Sequence, residues 1–452
     1  MCSRTLRLTL LAAAILLWPN PGVGAQVPRY AREYPVMRYG TRNPTDRVAE
    51  LQRRIAGGQI ELSFEPGQGY LASLLASLDV PASSQMLVFS GTSLQARLVS
   101  SDTPRAIYFG DDVYVAWLQG SDFLEIAALD PDLGPVFYTL TQEESDTPDF
   151  RRETETCLEC HDTYGLSGGG VPRLLIGSGP TDAMGRMASH EGWILTTDQT
   201  PVSRRWGGWY VTGTHGDQRH AGNIVVRPSN VSAPPDTPAR SGEAADGNRT
   251  DLSGLLDTDP YLTGHSDIVA LMVVEHQIYV QNLLTRVNWE VRTLLDAPSG
   301  GAGREPVSVG GVGDDLEARI AAVVEPLVRA MLFVDEATLA GLITGTSGFR
   351  SDFESRGPVD GEGRSLRHLD LSRRLFRYPM SFLVYSEAFD GLPSEAKEQV
   401  FLRVWEVLTG LDRSGEFDHL SEIDRIAILE ILRETQEDFA DWIGGSGAGS
   451  RR

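Results

Sequence analysis

Cysteine is nearly absent from this 452-residue chain: there are three, and one of them is Cys2 at the extreme N-terminus. A scaffold held together by disulfides is therefore excluded. Positive charge is also scarce. Forty Lys and Arg stand against 62 Asp and Glu, a formal net charge of −22. A surface of that sign repels phosphate backbones and anionic lipid, so no nucleic acid partner is expected. Long apolar runs are missing after the N-terminus. The richest later stretch, Ile268 to Val274, soon meets Glu275, His276 and Gln277. A membrane span needs about 20 apolar residues, so no transmembrane segment is expected in the mature chain.

What is present reads as a large folded protein. Hydrophobic residues make up 41% and charged residues 23%, an ordinary globular composition. The length suggests two or three domains. Arg4 and Arg7, the apolar run Leu8 to Trp18, and Val23-Gly24-Ala25 together have the form of a signal peptide over residues 1–25. Cleavage near Ala25 would place the protein in the periplasm or secrete it. The loss of Arg4 and Arg7 would leave 38 basic against 62 acidic side chains, or −24. It would also remove Cys2, leaving only Cys157 and Cys160.

The pattern along the chain changes twice. Asn43-Pro44 is a helix-start pair ahead of Val48, Leu51 and Ile55 on one helical face. From residue 85, short strands are expected at 86–89, 106–109, 113–117, 123–127 and 136–140, with Gly110-Asp111-Asp112 turning a hairpin. Thr147-Pro148 would start a short helix leading into the cysteines. Residues 228–261 are crowded with Pro, Ser, Asp and Gly and read as a polar linker. Helices are then expected from about Ser266 to Leu295 and near 315–332, 335–343, 366–377, 393–410 and 420–437, with a disordered tail at 444–452. The expected class is α+β: a strand-rich part over 26–227 followed by a mainly helical part over 262–443.

Chemistry concentrates in Cys157-Leu158-Glu159-Cys160-His161. This is the spacing at which two thiols form thioethers to one edge of a haem while the next histidine ligates the iron. The competing explanations are a thioredoxin-like pair, which wants a βαβ context, a zinc site, which wants a second ligand pair, and a plain disulfide. Covalent haem c, with its iron on His161, is the expected cofactor. The histidine's other ring nitrogen needs an acceptor to fix its orientation. The carbonyl of Pro172, 11 residues on, is a candidate, unless Pro172 simply marks a turn. The distal ligand is open among His215, His220, His265, His276, Met184, Met187 and His190. His215 leads, because glycines flank it in Thr-Gly-Thr-His-Gly. His276, by its helical neighbours, points into an apolar core, where a histidine is usually hydrogen-bonded rather than ligating. Trp206, Trp209 and Tyr210 either line the haem crevice or pack as an aromatic hairpin.

With those residues in view, the chain resembles a group of uncharacterised secreted bacterial proteins that contain a monohaem cytochrome c domain. The resemblance runs through Ser84 to Ser90, Arg105 to Tyr108, Cys157 to His161, Arg205 to Gly213 with His215, His265 to Gln277, and Ser365 to Glu387. It implies haem binding and electron transfer to a redox partner protein. Two positions depart from the group. Ala221 stands where a methionine is expected after the histidine, and His368 stands where an acid is usual. The alternatives are a haem enzyme of peroxidase or oxygenase type with an open distal site, and a haem-bearing module that binds a partner.

Overall fold

The fold is known from a computed structural model that describes residues 34–162, 170–187, 192–226, 247–296 and 316–445. The signal segment, His190, the first part of the linker, residues 297–315 and those beyond 445 lie outside the described residues.

The class is α+β. Helix α1 (Arg47–Ala56) and helix α2 (Leu71–Ser77) precede an antiparallel meander of six strands in sequence order. These are β1 (Met86–Val88), β2 (Arg105–Phe109), β3 (Val113–Trp117), β4 (Phe123–Asp130), β5 (Gly134–Thr141) and β6 (Phe150–Arg152). α1 starts three residues later than the Asn43-Pro44 signal suggests. Its cap is Asp46, whose carboxylate accepts from the amides of Val48 and Ala49 and also from the Tyr138 hydroxyl at 2.6 Å. A carboxylate satisfying three donors outcompetes a cap that satisfies fewer.

Strand alternation gives the sheet two unlike faces. Register places Leu87, Ala106, Trp117, Leu124 and Leu140 on one side, with Tyr108, Val115, Ile126 and Tyr138 in the next row. All nine are buried. On the other side the row Ile107, Ala116, Glu125, Thr139 is only half-buried. The neighbouring row Tyr114, Ala127, Phe137 is covered. The cover is α4 (Ile268–Asp296), whose Gln281 accepts from the Tyr114 hydroxyl at 2.6 Å. α4 comes so close to β5 that a Cβ on Gly134 would lie 2.2 Å from Thr285, and Gly134 also has φ +72°. By length and composition α4 could cross a membrane, yet 83% of its apolar window is buried inside the protein.

The rest is mainly helical: α5 (Leu316–Met331), α6 (Phe349–Ser355), α7 (Glu387–Asp390), α8 (Ser394–Leu408), α9 (Glu422–Thr435) and α10 (Glu437–Gly444). Residues 335–343 and 366–377 are not helical. In their place Leu369 bridges Phe376, and both Asp335 and Leu371 have positive φ, a conformation that ends a right-handed helix. Sheet and helices share one continuous apolar core.

Candidate haem site

The segment after β6 carries the cysteines. Instead of a helix running in from Thr147-Pro148, residues 150–152 extend the sheet: β6 pairs with β5, and Glu153 still donates to the Phe137 carbonyl at 2.8 Å. The chain then turns into a single helical turn, α3 (Leu158–His161). The Cys157 carbonyl accepts from the amides of Cys160 (3.2 Å) and His161 (3.0 Å). Residues three and four apart share a face of a helical turn, so Cys160 and His161 fall on the side of Cys157. Leu158 is buried and anchors the turn. Both cysteines are free thiols, Cys157 half-buried and Cys160 exposed. Burial, aided by the Glu153 and Glu125 charges, pushes the Cys157 thiol up to about 12. A dithiol oxidoreductase needs the reverse, a thiol lowered toward neutrality.

His161 is held on two sides. Its ring lies against Phe137 of β5, with centroids 4.5 Å apart. Its Nδ1 is 2.6 Å from the Arg173 carbonyl, and the Arg173 amide returns a bond to the His161 carbonyl at 2.9 Å. A carbonyl can only accept, so Nδ1 carries the proton and Nε2 keeps the lone pair in the neutral ring. Burial moves the imidazole below its ordinary value and favours that neutral form. The acceptor is therefore Arg173 and not Pro172, one residue earlier. Successive carbonyls along an extended chain point to opposite sides, and only one of the two can face the ring.

Arg173 is itself fixed through its neighbour. Asn282 on α4 clamps Leu174, its Oδ1 accepting from the Leu174 amide (2.9 Å) and its Nδ2 donating to the Leu174 carbonyl (2.8 Å). On the sheet side, Arg105 of β2 and Glu125 of β4 pair at 2.8 Å. Glu125 also takes bonds from the Ser93 hydroxyl and the Leu94 amide. The half-open row Ile107, Ala116, Glu125 shares its sheet face with Phe137, and the Arg105 and Glu125 charges act on His161. Asn282, Arg173 and Phe137 escaped the sequence reading because nothing in their local pattern marks them.

The distal candidates are spread out. Thr212 accepts from the Ile268 amide at the start of α4, whereas Leu174 is clamped at Asn282. Those two points are 14 residues apart on the helix, roughly 21 Å of axial rise. His215 is on the Thr212 side and His161 on the Leu174 side, so the structure does not bring the pair together. His215 is buried beside His220, with ring centroids 4.9 Å apart, and His220 packs on Trp206 at 5.2 Å. Burial, then His215, depresses His220 to about 4. His276 is a core histidine: Nδ1 meets Asp198 at 2.6 Å and Nε2 meets the Ser381 hydroxyl at 2.9 Å, with Phe333 stacked on the ring. That Ser-His-Asp alignment is completely buried and ties α4 to the 381 turn. Next to it Arg205 binds Glu275 at 3.0 Å, also buried. His265 lies just before α4, on a loop whose carbonyl binds Gln85. Met184 and Met187 are exposed on a turn held by Asp182. Trp209 and Tyr210 run alongside β1, where Val88 bridges Trp209, and belong to the sheet edge.

No protein-family model, no curated protein and no solved structure matches this chain.

Proposed function

We propose that this chain is an exported monohaem c-type cytochrome that transfers electrons, with Cys157 and Cys160 holding the haem and His161 ligating its iron. The observation that carries the reading is the 2.6 Å bond from His161 Nδ1 to the Arg173 carbonyl. It leaves the ligating nitrogen unprotonated and the ring in one orientation, as an axial histidine requires. Two free thiols on the same turn as that histidine complete the set. A bound haem would supply one-electron exchange at its iron. The polypeptide's part is to orient His161 through Arg173 and Asn282, to cover the ring with Phe137, and to leave the Cys160 edge toward solvent.

The test uses protein exported in a host with a haem-maturation system. Unmutated protein should keep a haem-staining band on a denaturing gel, and Cys157→Ala with Cys160→Ala should lose it. Haem that extracts freely from the unmutated protein into acidified organic solvent would refute the attachment.

A further inference from the structure

We propose that the face around Cys160 is a docking surface for a small, positively charged electron-transfer protein. This rests on the functional reading above. Its centre is apolar. Leu94, Leu98, Met184 and Met187 keep 43%, 39%, 65% and 43% of their surface exposed, an unusual grouping of large apolar side chains. Hydrogen bonds gather them into one region. The Gly91 amide donates to the Gly185 carbonyl at 2.8 Å, fixing the methionine turn beside the 91–98 segment. The Leu94 amide donates to Glu125 at 3.0 Å, and Glu125 is one of the charges acting on the Cys157 thiol.

The rim is acidic. Glu143, Glu144, Asp146 and Asp149 on the β5–β6 turn, with Glu155 and Glu159 around the cysteines, are all exposed. Arg151 is the only exposed base within residues 142–162, and Arg97 and Arg186 flank the apolar centre. The turn is tied down: the Tyr70 hydroxyl contacts the carbonyls of Glu143 and Ser145, and the Gln142 amide donates to the Asp122 carbonyl, adjoining the Gln95 side chain. An apolar centre within a charged rim is the anatomy of a transient interface. Fixed carboxylates around an exposed cofactor edge select a basic partner and speed its encounter.

The experiment is stopped-flow electron exchange between the haem-bearing protein and a lysine-ringed class I cytochrome c, with an acidic blue-copper protein as the contrasting partner. The second-order rate with the basic partner should fall about tenfold or more from low to high salt. It should exceed the rate with the acidic partner at low salt. Glu143→Lys with Glu144→Lys and Asp146→Lys should slow it at low salt and leave the high-salt rate unchanged. Leu94→Asp should slow it at every salt. A salt-independent rate, a preference for the acidic partner, or variants equal to the parent would each overturn the docking surface while the haem band persists. Loss of covalent haem from the parent protein would overturn the functional reading, and the docking surface with it.

Discussion

At the scale of single residues, the two histidines named for the iron have very different settings. His161 is held by one carbonyl and one aromatic ring, and its free lone pair is on Nε2. His215 is buried at the far end of α4 against His220. His215→Ala should therefore leave the visible spectrum of the haem unchanged, whereas His161→Ala should alter it. Oxidised and reduced spectra of the two variants check this. A His215→Ala protein that turns high-spin and takes up carbon monoxide would show that the haem-bound chain brings His215 to the iron. The CXXCH spacing was legible because it is local, confined to five consecutive residues. The Arg173 acceptor was missed by one position, since the direction of a carbonyl depends on the path of the loop and not on its composition. The setting of His276 could be read from its helical neighbours, and the structure adds the Asp198 and Ser381 bonds that satisfy it.

Among the elements, α4 does most to position the site. Asn282 pairs with both backbone groups of Leu174, and Arg173 follows. Asn282→Ala should cost about 1–3 kcal/mol in urea unfolding, because a donor and an acceptor lose their partners together. A purely structural clamp would do no more. A positioning role predicts in addition a shifted midpoint potential and altered iron–histidine vibration, with Asn282→Asp restoring less than half of the parent behaviour, since a carboxylate cannot donate to the Leu174 carbonyl. An unchanged potential in a folded variant would contradict that role. The strands of the sheet and the long helix were readable because their periods, 2 and 3.6, extend over many residues. The segments 335–343 and 366–377 were not, because their apolar spacing mimics a helix. Their conformation is set by tertiary contacts, such as the Glu336 carboxylate accepting from the Leu375 amide at 2.7 Å.

On the scale of the whole molecule, charge and burial act together on stability. Burial lifts the Asp112 carboxyl from 3.8 to about 7 and the Glu336 carboxyl from 4.5 to about 8. The folded protein therefore binds protons that the unfolded chain has released. That contribution is complete below the ordinary values and is lost as pH rises through about 7 and 8. His220 acts in the opposite sense. It is depressed by burial from 6.5 to about 4, so its contribution is complete above 6.5 and is lost as pH falls toward 4. With a net charge of −22, self-repulsion also grows with pH. The thermal midpoint should rise as pH is lowered from 8 to about 5, because over that range two carboxyls taking up protons outweigh the one imidazole that resists them. A midpoint that instead climbs steadily from pH 5 to 8 in calorimetry would contradict this balance. Covalent haem is read straight from the intact mass of the denatured, exported protein. The predicted result is the mass of the mature chain plus one haem. The mass of the bare chain, or of the chain less two hydrogens for a Cys157–Cys160 disulfide, would contradict it.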